Sequence, residues 1–240
     1  LVIDLPAKSS SYRQYTDDIY ERVSLSALAL EIPYWTQVAS EQTPPLKPES
    51  AKIENSKVSL DTNAEILPGA LNKATTENLI GPANRAYNTN TQELLLASLT
   101  ESLQKWSGKT VFNLMLEGHG RTPITPTLSF NRTVGWFTAL YPITLTVPNK
   151  APSIQNAPNQ KLPNIKPQED LLENTFSTLI KSIKEQVRET PNHGTGYGIL
   201  RYCHPEQSVR DRLSLNKKSP IVFNYLGQFD NVFDNQTQIS

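Results

Sequence analysis

The sequence is poor in the residues that specialised chemistry and membrane insertion require. Of its 240 residues, one is cysteine, one is methionine and three are histidine. The single cysteine, Cys203, excludes an intrachain disulfide and suits a reducing cytoplasm. The histidines lie far apart and match no metal-ligand spacing, so no metal is expected. Net charge is also lacking: 23 basic and 23 acidic residues cancel. No block of like charges interrupts that balance, so neither nucleic acid nor an acidic membrane is an expected partner. The apolar stretches are too short to cross a bilayer. Leu1-Val2-Ile3-Asp4-Leu5-Pro6 has no charged start and no long apolar run, which argues against a signal peptide. The one methionine is Met115, so the chain is expected to begin inside a longer protein or to have been trimmed. Asn131-Arg132-Thr133 is formally a glycosylation sequon, with little weight where no secretory signal is seen. A nucleophile-elbow pattern, Gly-x-Ser-x-Gly, is missing too.

What is present is an ordinary globular share of apolar residues, 37%, in alternating helical and strand-like patterns. Residues 11–31 have a helical period carried by Tyr12, Tyr15, Ile19, Val23 and Leu30, with Pro33 as the stop. Residues 41–57 are polar and contain Pro44, Pro45 and Pro48, which predicts a linker and a boundary between two lobes. The expected division is 1–50, the end of one lobe with its linker, and 51–240, a second lobe. Val58-Ser59-Leu60 is a short strand candidate, and 72–80 a weaker helix stopped by Gly81-Pro82. Residues 91–106 predict a helix with Leu95, Leu99, Leu103 and Trp106 on its apolar face, widened by Leu94 and Leu96 and ended by Gly108. Val111 to Leu116 has the pattern of a buried strand. Tyr141, Ile143, Leu145 and Val147 alternate as a half-buried strand should. Residues 148–168 are proline-rich and predict a loop. Residues 169–189 carry Leu172, Phe176, Leu179, Ile180, Ile183 and Val187 on one helical face. A short helix at 205–215 and a strand from Ile221 to Leu226 complete a mixed α/β pattern without a strict βαβ rhythm.

Four constellations could carry chemistry. Glu117-Gly118-His119-Gly120-Arg121 leaves the buried strand. A carboxylate there can be partly desolvated, which raises its pKa toward the range of a general acid or base. The plainer alternative is a turn with a surface Glu–Arg pair. Asn131 to Thr138 places Arg132 and Trp136 where they could line a channel; the alternative is a core strand with a bulge at Gly135. Gly194-Thr195-Gly196-Tyr197-Gly198 lacks the spacing of a dinucleotide loop and predicts a turn into a strand over Ile199 to Tyr202. Phe223 to Asp230 is an aromatic-rich strand candidate. Alternation there sets Phe223, Tyr225 and Gly227 on one face, with Asn224 and Leu226 on the other. An Asn amide or Tyr hydroxyl aimed into a cleft could donate to a developing oxyanion. Cys203 is expected to be a small core residue near a strand end rather than a nucleophile.

In order and wording, these segments resemble consecutive signature motifs of epimerization domains of nonribosomal peptide synthetases, within the condensation-domain superfamily. The matching stretches are Glu117-Gly-His-Gly-Arg121, Arg132-Thr-Val-Gly-Trp-Phe-Thr-x-x-Tyr-Pro142, Pro191-x-x-Gly-x-Gly-Tyr-Gly198 and Phe223-Asn-Tyr-Leu-Gly-Gln-Phe-Asp230. Asn88-Thr89 with Leu94-Leu95-Leu96 resembles the preceding motif, and Pro33-Tyr34-Trp35 the inter-lobe region. The resemblance implies an α/β chloramphenicol-acetyltransferase-like sandwich, here as the C-terminal lobe plus the tail of the N-terminal lobe. It implies a substrate held as a thioester on the 4'-phosphopantetheine of a peptidyl carrier protein, no cofactor of the domain's own, and inversion at Cα. Carried over by position, Glu117 matches the catalytic glutamate, and Asn224 and Tyr225 a pair near the thioester. Arg132 and Trp136 would shape the substrate tunnel, and His119 is expected to be structural. The His-His-x-x-x-Asp motif of the family's other proton carrier does not occur in this sequence. It would belong to the missing N-terminal lobe, so this segment alone is expected to be inactive. Thr122 and Ser129 stand where the family usually has acidic residues, and the 148–168 loop is long for the family. The rival readings are a condensation domain that forms peptide bonds, or a degenerate domain that only docks a partner.

Overall fold

The computed structural model describes residues 7–22, 26–41, 46, 65–121, 127–148, 169–215 and 221–227. Among these, six α-helices come first: α1 (Tyr12–Arg22), α2 (Ser26–Ala29), α3 (Ile32–Ser40), α4 (Lys73–Asn78), α5 (Asn84–Tyr87) and α6 (Thr91–Ser107). Strands β1 (Val111–Gly118) and β2 (Ala139–Thr146) follow, then α7 (Glu169–Arg188), α8 (Thr195–Cys203), α9 (Gln207–Arg212) and β3 (Val222–Asn224).

Period-two alternation along β1 decides which way the sheet faces. Phe112, Leu114 and Leu116 point to one side, and their antiparallel partners Leu145, Ile143 and Tyr141 join them; all six are buried. The sheet order is β2-β1-β3, with β3 parallel to β1. Trp35 of α3, Leu94 and Leu96 of α6, Ile183 of α7 and Leu200 of α8 belong to the same core as those strand residues. The other face of β1 carries Asn113, Met115 and Glu117, which are half-buried. Beside them Leu140 and Val222 stay exposed. The amide of Gln186 on α7 blunts the free edge of β2: it accepts from the Thr146 backbone N–H at 2.7 Å and donates to the Thr146 carbonyl at 2.8 Å. An edge so occupied cannot recruit a foreign strand at that point.

Helix α6 begins with a capping box, Asn90 and Glu93 each accepting the other's backbone N–H. Glu93 is buried, and Arg188 at the end of α7 donates to both its oxygens, at 2.7 and 3.1 Å. This clamp turns Glu93 inward and centres the buried stripe on the Leu94 and Leu96 side of the expected face. Leu94, Leu96, Ala97, Thr100 and Leu103 are buried, Leu95 and Leu99 are half-buried, and Trp106 is exposed.

The strands expected at 111–116 and 141–147 and the helices expected at 91–106, 169–189 and 205–215 are present. Three expectations are corrected. Pro33 does not stop a helix but sits in the first turn of α3, where its missing N–H costs nothing. Gly81-Pro82 does not stop the 72–80 helix; the chain widens into a single π-turn, Leu79–Ala83, and continues as α5. Residues 199–202 are not a strand but part of helix α8. Tyr197, Ile199 and Leu200 are buried, so a helical stripe is hidden behind glycines and β-favouring residues. The candidate strand 58–60, the lobe boundary near 50, most of the 41–57 linker and the 149–168 loop lie outside the described residues.

The glycines of α8 and its approach differ in what surrounds them. Gly194 has φ +81°, and a Cβ there would lie 2.0 Å from the buried Tyr141 ring. Around Gly198 nothing lies within 4 Å of an added Cβ. Gly194→Ala is therefore expected to cost roughly 2–3 kcal/mol through overpacking and a left-handed backbone. Gly198→Ala is expected to stabilise by about 0.5–1 kcal/mol through helix propensity. Thermal unfolding of the two variants tests this, and equal effects would contradict it.

Candidate active site

The ladder of the sheet brings the first and fourth constellations together. Glu117 is the backbone partner of Leu140 on β2 and of Asn224 on β3. Its side chain leaves the sheet on the face opposite the core, next to that of Asn224. The Asn224 amide Nδ2 donates to Glu117 Oε2 at 2.9 Å. Glu117 is half-buried and Asn224 exposed, so the pair is fixed by the sheet yet reachable. Leu140, 47% exposed, and Val222, 62% exposed, give the site an apolar border. A carboxylate held this way can exchange a proton with a group laid across that border, and the amide keeps its second N–H for an oxygen of the same group.

Tyr225 follows β3 directly and is half-buried; β3 ends at Asn224, so the alternation expected through Gly227 stops there. Phe223 packs against the core on the opposite side from Asn224. Burial pushes the hydroxyls of Tyr141 and Tyr197 up to about 12. Both stay protonated at neutral pH and are core residues rather than proton carriers; the Tyr197 hydroxyl donates to the Leu213 carbonyl at 3.0 Å.

The turn after Glu117 is not a surface Glu–Arg pair. His119 Nδ1 accepts the Arg121 backbone N–H at 3.0 Å and shapes the turn. Arg121 sends its guanidinium to the carbonyls of Phe130 (2.5 Å) and Thr133 (2.8 Å) and lies 4.4 Å from the centre of the Phe137 ring. The residues between Asn131 and Thr138 form a loop, not a core strand with a bulge. In it Val134 is 94% and Trp136 77% exposed. Arg132 reaches back to the Ala7 carbonyl at 3.4 Å.

That loop is the seat of the segment before and within α1. Thr133 Oγ1 donates to the Ser10 carbonyl, and the Tyr12 hydroxyl donates to the Trp136 carbonyl at 3.0 Å. Tyr12 and Tyr15 pack edge-on against Phe137, with centroids 5.2 and 4.8 Å away. A Cβ at Gly135 would lie 2.4 Å from the Tyr12 ring, so only glycine admits this approach. Ser129 shares backbone and side-chain bonds with Ser10, whereas Thr122 lies outside the described residues.

Cys203 ends helix α8 instead of a strand, and burial pushes its thiol up, away from a reactive thiolate. Among the described residues no group of three or more His, Cys, Asp or Glu could hold a metal ion. No helix among them is long and apolar enough to cross a membrane.

Among the buried acidic residues that sequence reasoning missed, Glu31 lies nearest the site's strand end. Glu31 accepts the Trp35 Nε1–H at 2.9 Å and the Asn192 Nδ2–H at 2.5 Å, and only 4% of its surface is exposed. An acidic residue four before a tryptophan in an otherwise apolar stretch was the available signal.

The condensation-domain family model matches residues 3–240, and the chain belongs to that family. Its fold is the expected chloramphenicol-acetyltransferase-like sandwich. More particularly, the chain is similar to the crystal structure of the epimerization domain from the third module of tyrocidine synthetase B, at 29% identity and a TM-score of 0.72. The likeness covers 95% of this chain and 46% of that one. The chain is 32% identical over 229 residues to bacitracin synthase 2 of Bacillus licheniformis, covering 95% of this chain. It is also 33% identical over 228 residues to tyrocidine synthase 1 of Brevibacillus parabrevis, covering 95% of this chain. The chain spans 8% and 18% of those two relatives.

Proposed function

We propose that the chain is part of a nonribosomal peptide synthetase domain that inverts Cα, L to D, of an aminoacyl or peptidyl thioester. The substrate would arrive on the 4'-phosphopantetheine of a peptidyl carrier protein. Residues 51–240 would form the C-terminal lobe, and 1–50 the end of the N-terminal lobe with its linker. The observation that supports this most is the Glu117–Asn224 pair, held at 2.9 Å on the accessible face of the sheet. Likeness to an epimerization domain, at 29% identity, supports it from outside.

The chemistry follows from the thioester, which acidifies the Cα–H. One base removes that proton, the electron pair moves onto the thioester oxygen as an enolate, and an acid returns a proton to the opposite face. Inversion therefore needs two proton carriers on opposite sides of Cα. Glu117 is one. The other would come from the His-His-x-x-x-Asp motif of the N-terminal lobe, which this sequence does not contain. Asn224 and Tyr225 would donate to the enolate oxygen, and Arg132 and Trp136 would shape the tunnel.

Condensation is the second reading, because the matching family model is that of condensation domains. Product analysis separates them. The full-length protein, given a loaded carrier protein in D2O, is expected to equilibrate the D/L ratio and to place deuterium at Cα. An amide joining two carrier-bound partners, with Cα unexchanged, would refute the proposal.

A further inference from the structure

Behind the strand end that carries Glu117, on the core side of the sheet, lies a turn with an unusual backbone. Asn192, His193 and Gly194 all have positive φ, at 44°, 51° and 81°. Asparagine tolerates this region, histidine adopts it at a cost, and such strain persists only where neighbours impose it. Two neighbours are visible. Gly194 lies flat on the Tyr141 ring, and Asn192 donates its amide to the buried carboxylate of Glu31 at 2.5 Å. Glu31 is itself held by Trp35 Nε1 at 2.9 Å. It sits so close to the first turn of α8 that a Cβ at Gly196 would lie 2.1 Å from its Oε2. An acidic group at a helix N-terminus is electrostatically favoured there.

The turn reaches the site through the Tyr141 ring, on which Gly194 packs and whose strand partner Leu116 directly precedes Glu117. A Cβ built on Gly118 would lie 3.6 Å from the Tyr141 ring and 3.8 Å from the His193 carbonyl oxygen. Gly118 directly follows Glu117, and successive residues of a strand face opposite sides. The turn thus backs the strand from the core side at the point where the Glu117 carboxylate leaves it on the other.

We propose that Glu31 and Asn192 are a positioning pair: they lock the 192–194 turn against the Tyr141 ring beside Gly118 and so fix where Glu117 presents its carboxylate. This rests on Glu117 being a proton carrier. Neither residue touches the substrate; both act through the strand. Displacement of a reacting group by about 1 Å costs on the order of 100-fold in rate.

Asn192→Gly is the discriminating variant, because glycine keeps the left-handed backbone and deletes only the bond to Glu31. In the full-length protein it is expected to lower kcat for Cα exchange by about 10- to 100-fold with KM for the loaded carrier unchanged. Glu31→Gln is the conservative rescue. Its Oε1 accepts from Trp35, and its Nε2 donates to the Asn192 Oδ1 once that amide turns over, so kcat is expected within about threefold of the parent. Amide hydrogen exchange provides a readout independent of the reaction. Asn192→Gly should speed exchange at 117–120 while Phe112 to Leu114 keep their protection. An unchanged kcat, or loss of protection spread evenly over β1, would overturn the proposal. If the parent protein shows no Cα exchange, the functional reading fails on its own, and the hydrogen-exchange comparison still decides whether the lock exists.

Discussion

Glu117→Gln in the full-length protein is expected to reduce Cα exchange by roughly 10²- to 10⁴-fold, the span of a lost general acid or base. Glutamine has the same length and retains an oxygen. The Asn224 amide, which now donates to Oε2 at 2.9 Å, keeps its acceptor. The β1–β2 and β1–β3 ladders at this position are backbone to backbone and do not depend on the side chain. The side chain is only half-buried, so the change leaves packing nearly untouched. Activity should therefore fall without a matching fall in thermal stability. Exchange within a few-fold of the parent would show that Glu117 is not a proton carrier of the reaction.

Arg188→Met is expected to have the largest effect on stability, about 3 kcal/mol, at the lower end of the cost of stripping a partner from a buried charge. Glu93 is 2% exposed, and Arg188 supplies two of its hydrogen bonds. The same guanidinium also donates to the Asn88 carbonyl at 2.7 Å, tying the turn before α6 to the end of α7. The loss is moderated because the Asn90 N–H still donates to Glu93 at 2.9 Å, at a helix N-terminus that favours negative charge. Adding Glu93→Gln should recover part of the loss, since an amide left without the guanidinium costs less than a carboxylate. Urea unfolding of the single and double variants checks this; a single-variant cost below about 1 kcal/mol would contradict it.

Legibility in the sequence followed the distance over which each feature is determined. Strand β1 could be read because its period-two alternation is local, and α7 because Phe176, Leu179, Ile180 and Ile183 repeat at helical spacing. Helix α8 was hidden: Gly194 before it answers to Tyr141 and Gly196 within it to Glu31, contacts that no window of ten residues contains. The stripe of α6 was legible in part: Leu94, Leu96 and Leu103 are buried as expected, whereas Trp106 is exposed and the inward turn of Glu93 is held by Arg188, 95 positions away. Pro33 and Pro82 read as stops because proline forbids a helix N-terminal to itself more strongly than one that follows it. Within the site, motif wording led to Glu117 and Asn224, which the fold sets on adjoining strands. The Glu31–Asn192 bond has no motif wording, as it joins residues 161 positions apart.

The meeting of Tyr12 with Gly135 constrains how this fold can change over generations. The ring stands 2.4 Å from where a Cβ at 135 would be, and residue 12 also donates to the Trp136 carbonyl. Position 135 is not free to drift alone. A side chain there is admissible only in a sequence whose residue 12 has already shrunk, so the change at 12 must come before the change at 135.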